Sequence, residues 1–324
     1  MASSPERFAV GIDIGATKIA SALISERGEV IQASHVLTLV EEGTEAILDK
    51  VAEQILALVH QCPGALAGIG IGSPGKVDAD QGVVYNAVNL GWEKVHLTEE
   101  IASRIKRSLP IWVQKDANLS ALGERYFGAA QGLRDFVYLG IGSGLGAGII
   151  SDGRLITGAD WYAADVGHLS VDPEGSLCVC GGRGCAETIA SGPGLVRVAQ
   201  QMLANSSKNT LLSSGVELTP TDILAAARQN DGLALKALAE VGRVLGIIMS
   251  ACTVILNPSR IVVGGGLGLA GYDFIIPAAR QELMRRTIPE SRALLEIFPS
   301  QVESPAIGAA SLVWYMCSKE TVKN

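Results

Sequence analysis

Charge and aromatic side chains are both scarce in this chain. Charged residues make up 18% and aromatic residues 5% of its 324 positions, with four histidines and six cysteines. No run of Lys or Arg occurs, and the net charge is −7. A phosphate-backbone footprint is therefore missing, which excludes nucleic acid as the expected ligand. The opening MASSPERFAVGIDIG lacks a charged start followed by an apolar core, so no secretory signal is expected. Long hydrophobic runs are missing as well. The most apolar stretch, VLGIIMSACTVIL at 244–256, is stopped by Asn257-Pro258 and is shorter than a bilayer span, so a buried helix is expected there. These absences together point to a cytoplasmic protein that meets no membrane, in a compartment where structural disulfides are rare.

Against that scarcity, one loop is rich. Residues 167–187 read GHLSVDPEGSLCVCGGRGCAE and hold His168, Cys178, Cys180 and Cys185, half of the chain's cysteines. Cys62, Cys252 and Cys317 stand alone, and a lone thiol in apolar helical context behaves as a small hydrophobe. A disulfide knot disagrees with the compartment. A redox pair disagrees with the spacing, since the closest pair is C-x-C and not C-x-x-C. One His and three Cys form a closed tetrahedral set that suits structural Zn²⁺ and leaves no position for a catalytic water. Gly181, Gly182 and Gly184 let such a loop fold sharply.

The 38 glycines are distributed with a pattern. FAVGIDIGATKIASALIS (8–25) and FVYLGIGSGLGAGIIS (136–151) each read as a strand, a Gly-rich turn carrying a hydroxyl residue, and a returning strand. This repetition predicts an internal duplication, each copy beginning one domain. Helical periodicity is expected over 43–60, 98–107, 117–130, 193–205 and 221–255, and strands at ALAGIGIGSP, LPIWVQ and RIVVGGG. Strands alternating with helices predict an α/β fold with helix-covered sheets. The expected division sets residues 1–121, joined by the final helix 306–324, against 122–305. The two domains are expected to meet across a cleft formed by crossings near 118–130 and near 305.

Three groups of residues can carry chemistry. Asp13, Gly15, Thr17 and Lys18 occupy the first hairpin turn. Turn N–H groups and the Thr17 hydroxyl can face phosphate oxygens, and Asp13 can hold Mg²⁺ directly or through water. Gly142, Ser143 and Gly144 repeat the arrangement, and two such turns make a phosphate clamp, though no Walker A string occurs. Gly264, Gly265 and Gly266 follow the strand RIVV, either as a wall for a flat ring or as a tight strand-to-helix turn. Asp116, at the end of the strand PIWV, is either a helix N-cap or a base that accepts a proton from a substrate hydroxyl during phosphoryl transfer.

In order along the chain, these strings resemble the ROK group of sugar kinases and sugar-responsive repressors, within the two-domain actin-like ATPase (ribonuclease H-like) fold. Asp13–Lys18 is similar to the D-x-G-x-T-K phosphate motif, and Gly70–Asp78 to G-x-P-G-x-V-D. Asn89-Leu-Gly-Trp92 resembles N-L-x-W, and Asp116-Ala-Asn118 resembles D-A-N. Gly142–Gly148 is similar to G-T-G-x-G-x-G, and 167–187 to G-H…C-x-C-G-x-x-G-C-x-E. The resemblance implies an ATP-dependent, glucokinase-like sugar kinase with an interdomain active site and Asp116 as catalytic base. It implies Asn89, His168 and Glu187 as sugar ligands, with Gly75 as a backbone contact. Mg-ATP would lie across the Gly turns with Gly265 and Gly266 on the adenosine side. Zinc would brace the loop presenting His168 and Glu187, His168 offering one ring nitrogen to the metal and the other to the sugar. A homodimer or higher homo-oligomer is the implied assembly.

Two positions depart from the family pattern. Lys115 stands where Asn is usual before the catalytic Asp, and Asp165 where Glu is usual three residues before the motif His. Asp shortens the reach by about 1 Å, enough to demand a different substrate pose. Lys115 either contacts an anionic or differently hydroxylated substrate, lowers the pKa of Asp116, or points to solvent. Glucose is the default substrate. An N-acetylhexosamine, fructose, a cyclitol or an acidic sugar is the alternative within the same chemistry. A non-catalytic sugar-binding sensor or regulator is the alternative in another class. For a regulator, a DNA-binding helix-turn-helix is expected ahead of the phosphate motif, where only MASSPERFAVGI stands.

Overall fold

The computed structural model of the chain describes residues 6–205, 210–212 and 217–323, with side chains to 319. The first five residues of the stretch read for a signal and Asn324 of the expected tail lie outside the described residues. The chain forms two compact units. The first comprises residues 1–132, 157–163 and 301–324, and the second 133–156 and 164–300.

In the first unit the strands are β1 (Arg7–Ile14), β2 (Lys18–Ser25), β3 (Val30–Leu37), β4 (Ala65–Ser73), β5 (Lys76–Asp78), β6 (Val83–Ala87), β7 (Trp92–Val95) and β8 (Ile111–Lys115). The helices α1 (Thr44–His60), α2 (Leu97–Ile105) and α3 (Asp116–Phe127) alternate with them. The main sheet has the order β3-β2-β1-β4-β8, and β5-β6-β7 form a small separate sheet. The hairpin strands β1 and β2 pair antiparallel, whereas β1, β4 and β8 run parallel. Near-continuous apolar runs in β1, β2 and β4 follow from burial on both faces. One face carries Ile47, Leu48, Val51 and Ile55 of α1.

The C-terminal helix Pro305–Lys323 covers the other face. It approaches so closely that glycine is required beneath it. A Cβ on Gly11 would lie 1.9 Å from the Ala306 carbonyl oxygen, and one on Gly70 would lie 1.9 Å from that of Ala309. Fully buried Glu124 on α3 fixes the surrounding chain. Its carboxylate accepts N–H bonds from Ala129 at 2.6 Å, Gln301 at 3.0 Å and Val302 at 3.1 Å. The two segments it ties together are those on which the chain leaves the first unit and returns to it.

The second unit repeats the plan. Strands β9 (Phe136–Ile141), β10 (Leu145–Ser151), β11 (Arg154–Leu155), β12 (Arg260–Gly264) and β13 (Glu296–Pro299) form a sheet in the order β11-β10-β9-β12-β13. Again the hairpin is antiparallel, and β9, β12 and β13 are parallel. The two five-stranded sheets share one strand order, as the repeated hairpin pattern predicts. Helices α4 (Gly192–Ala204), α5 (Pro220–Arg228), α6 (Gly232–Leu256), α7 (Gly266–Ala270) and α8 (Tyr272–Arg286) supply its helical layers.

The continuous helix expected over 221–255 is two helices. Asn230 turns left-handed at φ 62, and Asp231 caps α6 by accepting N–H bonds from Leu233 at 3.0 Å and Ala234 at 2.9 Å. Starting at Gly232, α6 is longer than the apolar stretch alone suggested. Among the described residues it is the one helix long and apolar enough to cross a membrane, yet its apolar window is mostly buried in the unit's core. Asn257, left-handed at φ 47, ends it before Pro258.

Glu124→Ala would strand the buried Ala129 N–H and the part-buried Gln301 and Val302 N–H groups and destabilise the first unit by about 2 kcal/mol or more. Urea denaturation compared with a surface control such as Glu53→Ala checks this, and an unchanged midpoint would show the carboxylate to be dispensable.

Candidate functional site

Parallel pairing gathers the first group of candidate residues. Because β1, β4 and β8 run the same way, their carboxyl ends share one sheet edge, where ligands of open α/β sheets usually bind. Asp13 pairs with Gly72, and Ser73 with Lys115, so Asp13 and Asp116 emerge on either side of β4. Gly72 keeps the gap clear, since a Cβ there would lie 2.8 Å from Asp13 Oδ1. Partial burial raises the Asp13 carboxyl most, the Asp116 charge adds to the rise, and Lys18 opposes it. The net effect lifts it from 3.8 to about 7.

Asp116 is the first residue of α3 and its side chain is exposed. The cap position belongs to Lys115, whose side chain makes no cap bond. Asp116 Oδ1 accepts the neighbouring Ala117 N–H at 2.6 Å, and Asp116 stands one position inside the cap, so the N-cap alternative does not describe it. Buried Gln114 holds the strand end: its Oε1 accepts the Lys115 N–H at 2.8 Å and Asn118 Nδ2 at 3.1 Å. This positioning role was not foreseen, because a Gln inside a short apolar strand carries no distinctive pattern.

The first turn is ordered around its backbone. Gly15 N–H donates to the Lys18 carbonyl at 3.0 Å, and the Thr38 hydroxyl donates to the Gly15 carbonyl at 2.6 Å. Thr17 and Lys18 are left exposed at the tip. Gly75 immediately precedes β5, and exposed Asn89 lies in a short 3-10 turn between β6 and β7.

In the second unit, Gly142 N–H donates to the Gly144 carbonyl at 2.9 Å and closes the second turn, with Ser143 exposed. The glycine run lies beside it. Gly264 pairs with Gly140, and a Cβ on Gly265 would lie 2.4 Å from the Ile141 carbonyl oxygen. Gly266 then opens α7, so the run is a strand-to-helix turn while also walling the end of β9. The start of α4 was not foreseen as part of this group. Ser191 caps the helix by accepting the Gly194 N–H at 3.0 Å, and Gly192 N–H donates to the Gly142 carbonyl at 2.7 Å. The signal was present as Ser-Gly-Pro, a capping residue before a Pro at the first turn.

The four metal-type donors come together. Donor atoms of His168, Cys178, Cys180 and Cys185 all lie within 4.8 Å of one another. Cys178 Sγ is 3.7 Å from His168 Nδ1, and Cys180 Sγ is 3.6 Å from Cys185 Sγ. A tetrahedron with Zn–S near 2.3 Å and Zn–N near 2.0 Å has edges of about 3.5–3.8 Å, so the donors fit the ion. Burial, with the neighbouring thiols, pushes the Cys185 thiol up to about 12, whereas the Gly182 N–H lowers Cys180. Gly184, left-handed at φ 67, could carry no side chain, because a Cβ would lie 1.6 Å from the Asp172 carbonyl oxygen.

With Nδ1 on the thiol side, His168 Nε2 stands 3.9 Å from Asp165 Oδ2. Glu187 Oε2 accepts the Leu145 N–H at 2.8 Å, and it would lie 3.4 Å from a Cβ on Gly167. Glu187 thus ties the cysteine loop to the second glycine turn.

The raised Asp13 carboxyl sets a pH dependence. Its charged form is disfavoured in the fold, so in metal-free protein stability falls as pH rises from about 4 to about 7, then levels. Asp13→Asn should flatten that decline, read as melting temperature across the range. A variant that follows the wild-type profile would show that Asp13 titrates normally.

The molecule's likeness to known proteins agrees with this layout. A model of the ROK family matches residues 9–315. The glucokinase of Halalkalibacterium halodurans is 34% identical over 292 residues, 88% of this chain and 87% of that protein. The xylose repressor of Caldicellulosiruptor bescii is 31% identical over 299 residues, 91% of this chain and 73% of its own length. The crystal structure of a ROK family glucokinase from Streptomyces griseus, in complex with glucose and AMPPNP, has a TM-score of 0.80 at 33% identity. That likeness covers 94% of this chain and 98% of the other. The match includes each glycine turn, the Asp13 and Asp116 strand ends and the cysteine loop. With its two sheets of one strand order, this chain has the actin-like ATPase fold and belongs to the ROK family.

Proposed function

We propose that this chain is an ATP-dependent sugar kinase, glucokinase-like, that transfers a phosphoryl group to a hexose hydroxyl. The observation that carries the reading is the pairing of Asp13 and Asp116 at one parallel-strand edge, close enough for the Asp116 charge to raise Asp13. Phosphoryl transfer needs little covalent help. It needs an oriented hydroxyl and dipoles or cations aimed at the phosphoryl oxygens. Exposed Asp116 would accept the hydroxyl proton. Asp13 would hold Mg²⁺, directly or through water, and the ion when bound would neutralise phosphate charge. Thr17, Lys18 and the N–H groups about Gly15 would face phosphate oxygens. So would Gly142, Ser143 and Gly144, with Gly265 and Gly266 toward the adenosine.

For the sugar, Gly75, Asn89, Lys115, Asp165, His168 and Glu187 are the proposed contacts. Glucose is the first substrate to offer. Lys115 makes an acidic sugar a specific second choice, and an N-acetylhexosamine, fructose or a cyclitol would change only which polar contacts are made. Zn²⁺ on His168, Cys178, Cys180 and Cys185 would hold the loop in place and take no part in the reaction. A cytoplasmic homo-oligomer is the assembly proposed.

Likeness to the xylose repressor supports a second reading, a sugar-binding regulator that does not turn over. One assay separates the two: ADP release from Mg-ATP over a panel of hexoses, N-acetylhexosamines, cyclitols and sugar acids. Turnover on one sugar, lowered about 10²–10⁴-fold by Asp116→Asn, is the expected result. Saccharide binding without any turnover would select the regulator. Elemental analysis should find one zinc per chain, and chelation should lower the melting temperature. Metal-free protein with an unchanged melting temperature would remove zinc from this account.

A further inference from the structure

One cluster of side chains has no part in that scheme. It is built on residues 157–163, a segment that belongs to the first unit although the chain on both sides of it belongs to the second. Lys76, next to Gly75, reaches this segment and pairs with Asp160 at 2.7 Å. Its ammonium nitrogen lies 4.9 Å from the ring centre of Tyr162, 5.6 Å from Tyr85 and 5.7 Å from Trp161. Tyr85 stands opposite Lys76 in the β5–β6 pairing. The Tyr85 carbonyl oxygen would lie 2.6 Å from a Cβ on Gly75, so this small sheet carries both the cluster and a proposed sugar contact.

Two further features set the cluster apart from an ordinary surface ion pair. Trp161 sits at φ 57, a left-handed conformation that a bulky residue keeps only where its surroundings over-determine it. Here the Lys76–Asp160 pair and the Ala163 N–H bond to the Thr157 carbonyl at 3.1 Å hold the turn. The rings so held are not buried. Tyr162 is 51% exposed, and Trp161 is partly exposed. A strained turn that leaves aromatic side chains exposed, each with Lys76 Nζ over its ring, contributes little packing in return.

We propose that Trp161 and Tyr162, held by Lys76 and Asp160, form a stacking face for a neutral sugar ring. Aromatic rings accept the apolar C–H face of a pyranose, and a carboxylate alongside accepts its hydroxyl protons. The Asp160 side chain is 63% exposed and available for that contact. An anionic sugar does not suit this face, because the ammonium is already neutralised by Asp160 and the added charge would meet that carboxylate. The stacked ring is either the reacting sugar or a second ring joined to it. Asp165, a proposed sugar contact, follows Tyr162 by three residues in sequence.

The proposal rests on the sugar-kinase reading, and saccharide binding tests it independently of turnover. Calorimetric titration with glucose, maltose and glucuronate compares wild type with Tyr162→Ala, Trp161→Gly and Tyr162→Phe. Glycine accepts the left-handed turn and Tyr162 is exposed, so both losses should leave the fold intact, checked by melting temperature and ADP binding. The expected result is an affinity for a neutral saccharide that falls about tenfold in Tyr162→Ala and Trp161→Gly and recovers in Tyr162→Phe. A fall shared by glucose and maltose places the reacting ring on the face, whereas a fall confined to maltose places the second ring there. Unchanged affinities in both loss variants would overturn the proposal, as would a wild type that binds neither neutral sugar. Failure of the kinase reading shows differently, as binding of sugar with no ADP release.

Discussion

Parallel pairing of β1, β4 and β8 is the constraint on which the rest of the first unit depends. It places Asp13 and Asp116, about a hundred residues apart in sequence, at one sheet edge with a strand between them. The strand between must then be stripped of side chain where they face each other, and Gly72 supplies that space. Bringing the two carboxylates close has an electrostatic consequence, since partial burial and the Asp116 charge both oppose ionisation of Asp13. A cation or a proton is needed to balance such a pair, which is why the proposed Mg²⁺ and the proposed base belong to one arrangement. The sheet is in turn held by the C-terminal helix, whose backbone lies where any Cβ on Gly11 or Gly70 would stand.

The second unit uses the same strand order with different residues at its strand ends. Of its parallel strands, β9 and β12 run into glycine turns and β13 ends at Pro299, so no carboxylate stands where Asp13 and Asp116 do. Gly142 receives the Gly192 N–H from the start of α4, so a helix N-terminus backs the second turn. Glu187 joins this turn to the cysteine loop through the Leu145 N–H. The loop leaves Leu177 and Val179 exposed, and backbone bonds such as Cys178 N–H to the Gly182 carbonyl at 2.8 Å and Gly184 N–H to the Ser176 carbonyl at 2.9 Å hold it beside the four donors. A metal there would add to these bonds in fixing the loop that carries the proposed sugar contacts.

Much of this was legible in the residues. The repeated hairpins foretold an internal duplication, to which the two sheets of one strand order correspond, and the Cys/His spacing foretold a compact donor set whose atoms do lie together. Local signals were weaker where a short-range cap overrode a long periodic pattern. The helix expected over 221–255 is interrupted because Asp231 offers two capping bonds and Asn230 accepts a left-handed turn, an outcome that apolar periodicity does not encode. Asp116 had two meanings in sequence because Asp is common both as a cap and as a base. The backbone gives the cap position to Lys115, which removes the cap meaning and leaves the base as a proposal.

Motif order, turn chemistry and the donor set were determined by the sequence alone, since each depends on residue type at short spacing. Tertiary structure decided what depends on distant segments meeting. It placed Gln114 beneath Lys115 and Asn118, and set Glu124 against Ala129, Gln301 and Val302. It also turned residues 157–163 toward Lys76 and Tyr85, although they follow a strand of the other unit. No spacing rule relates Lys76 to Asp160, because the contact between them exists only after the small sheet has formed and the chain has crossed back to it.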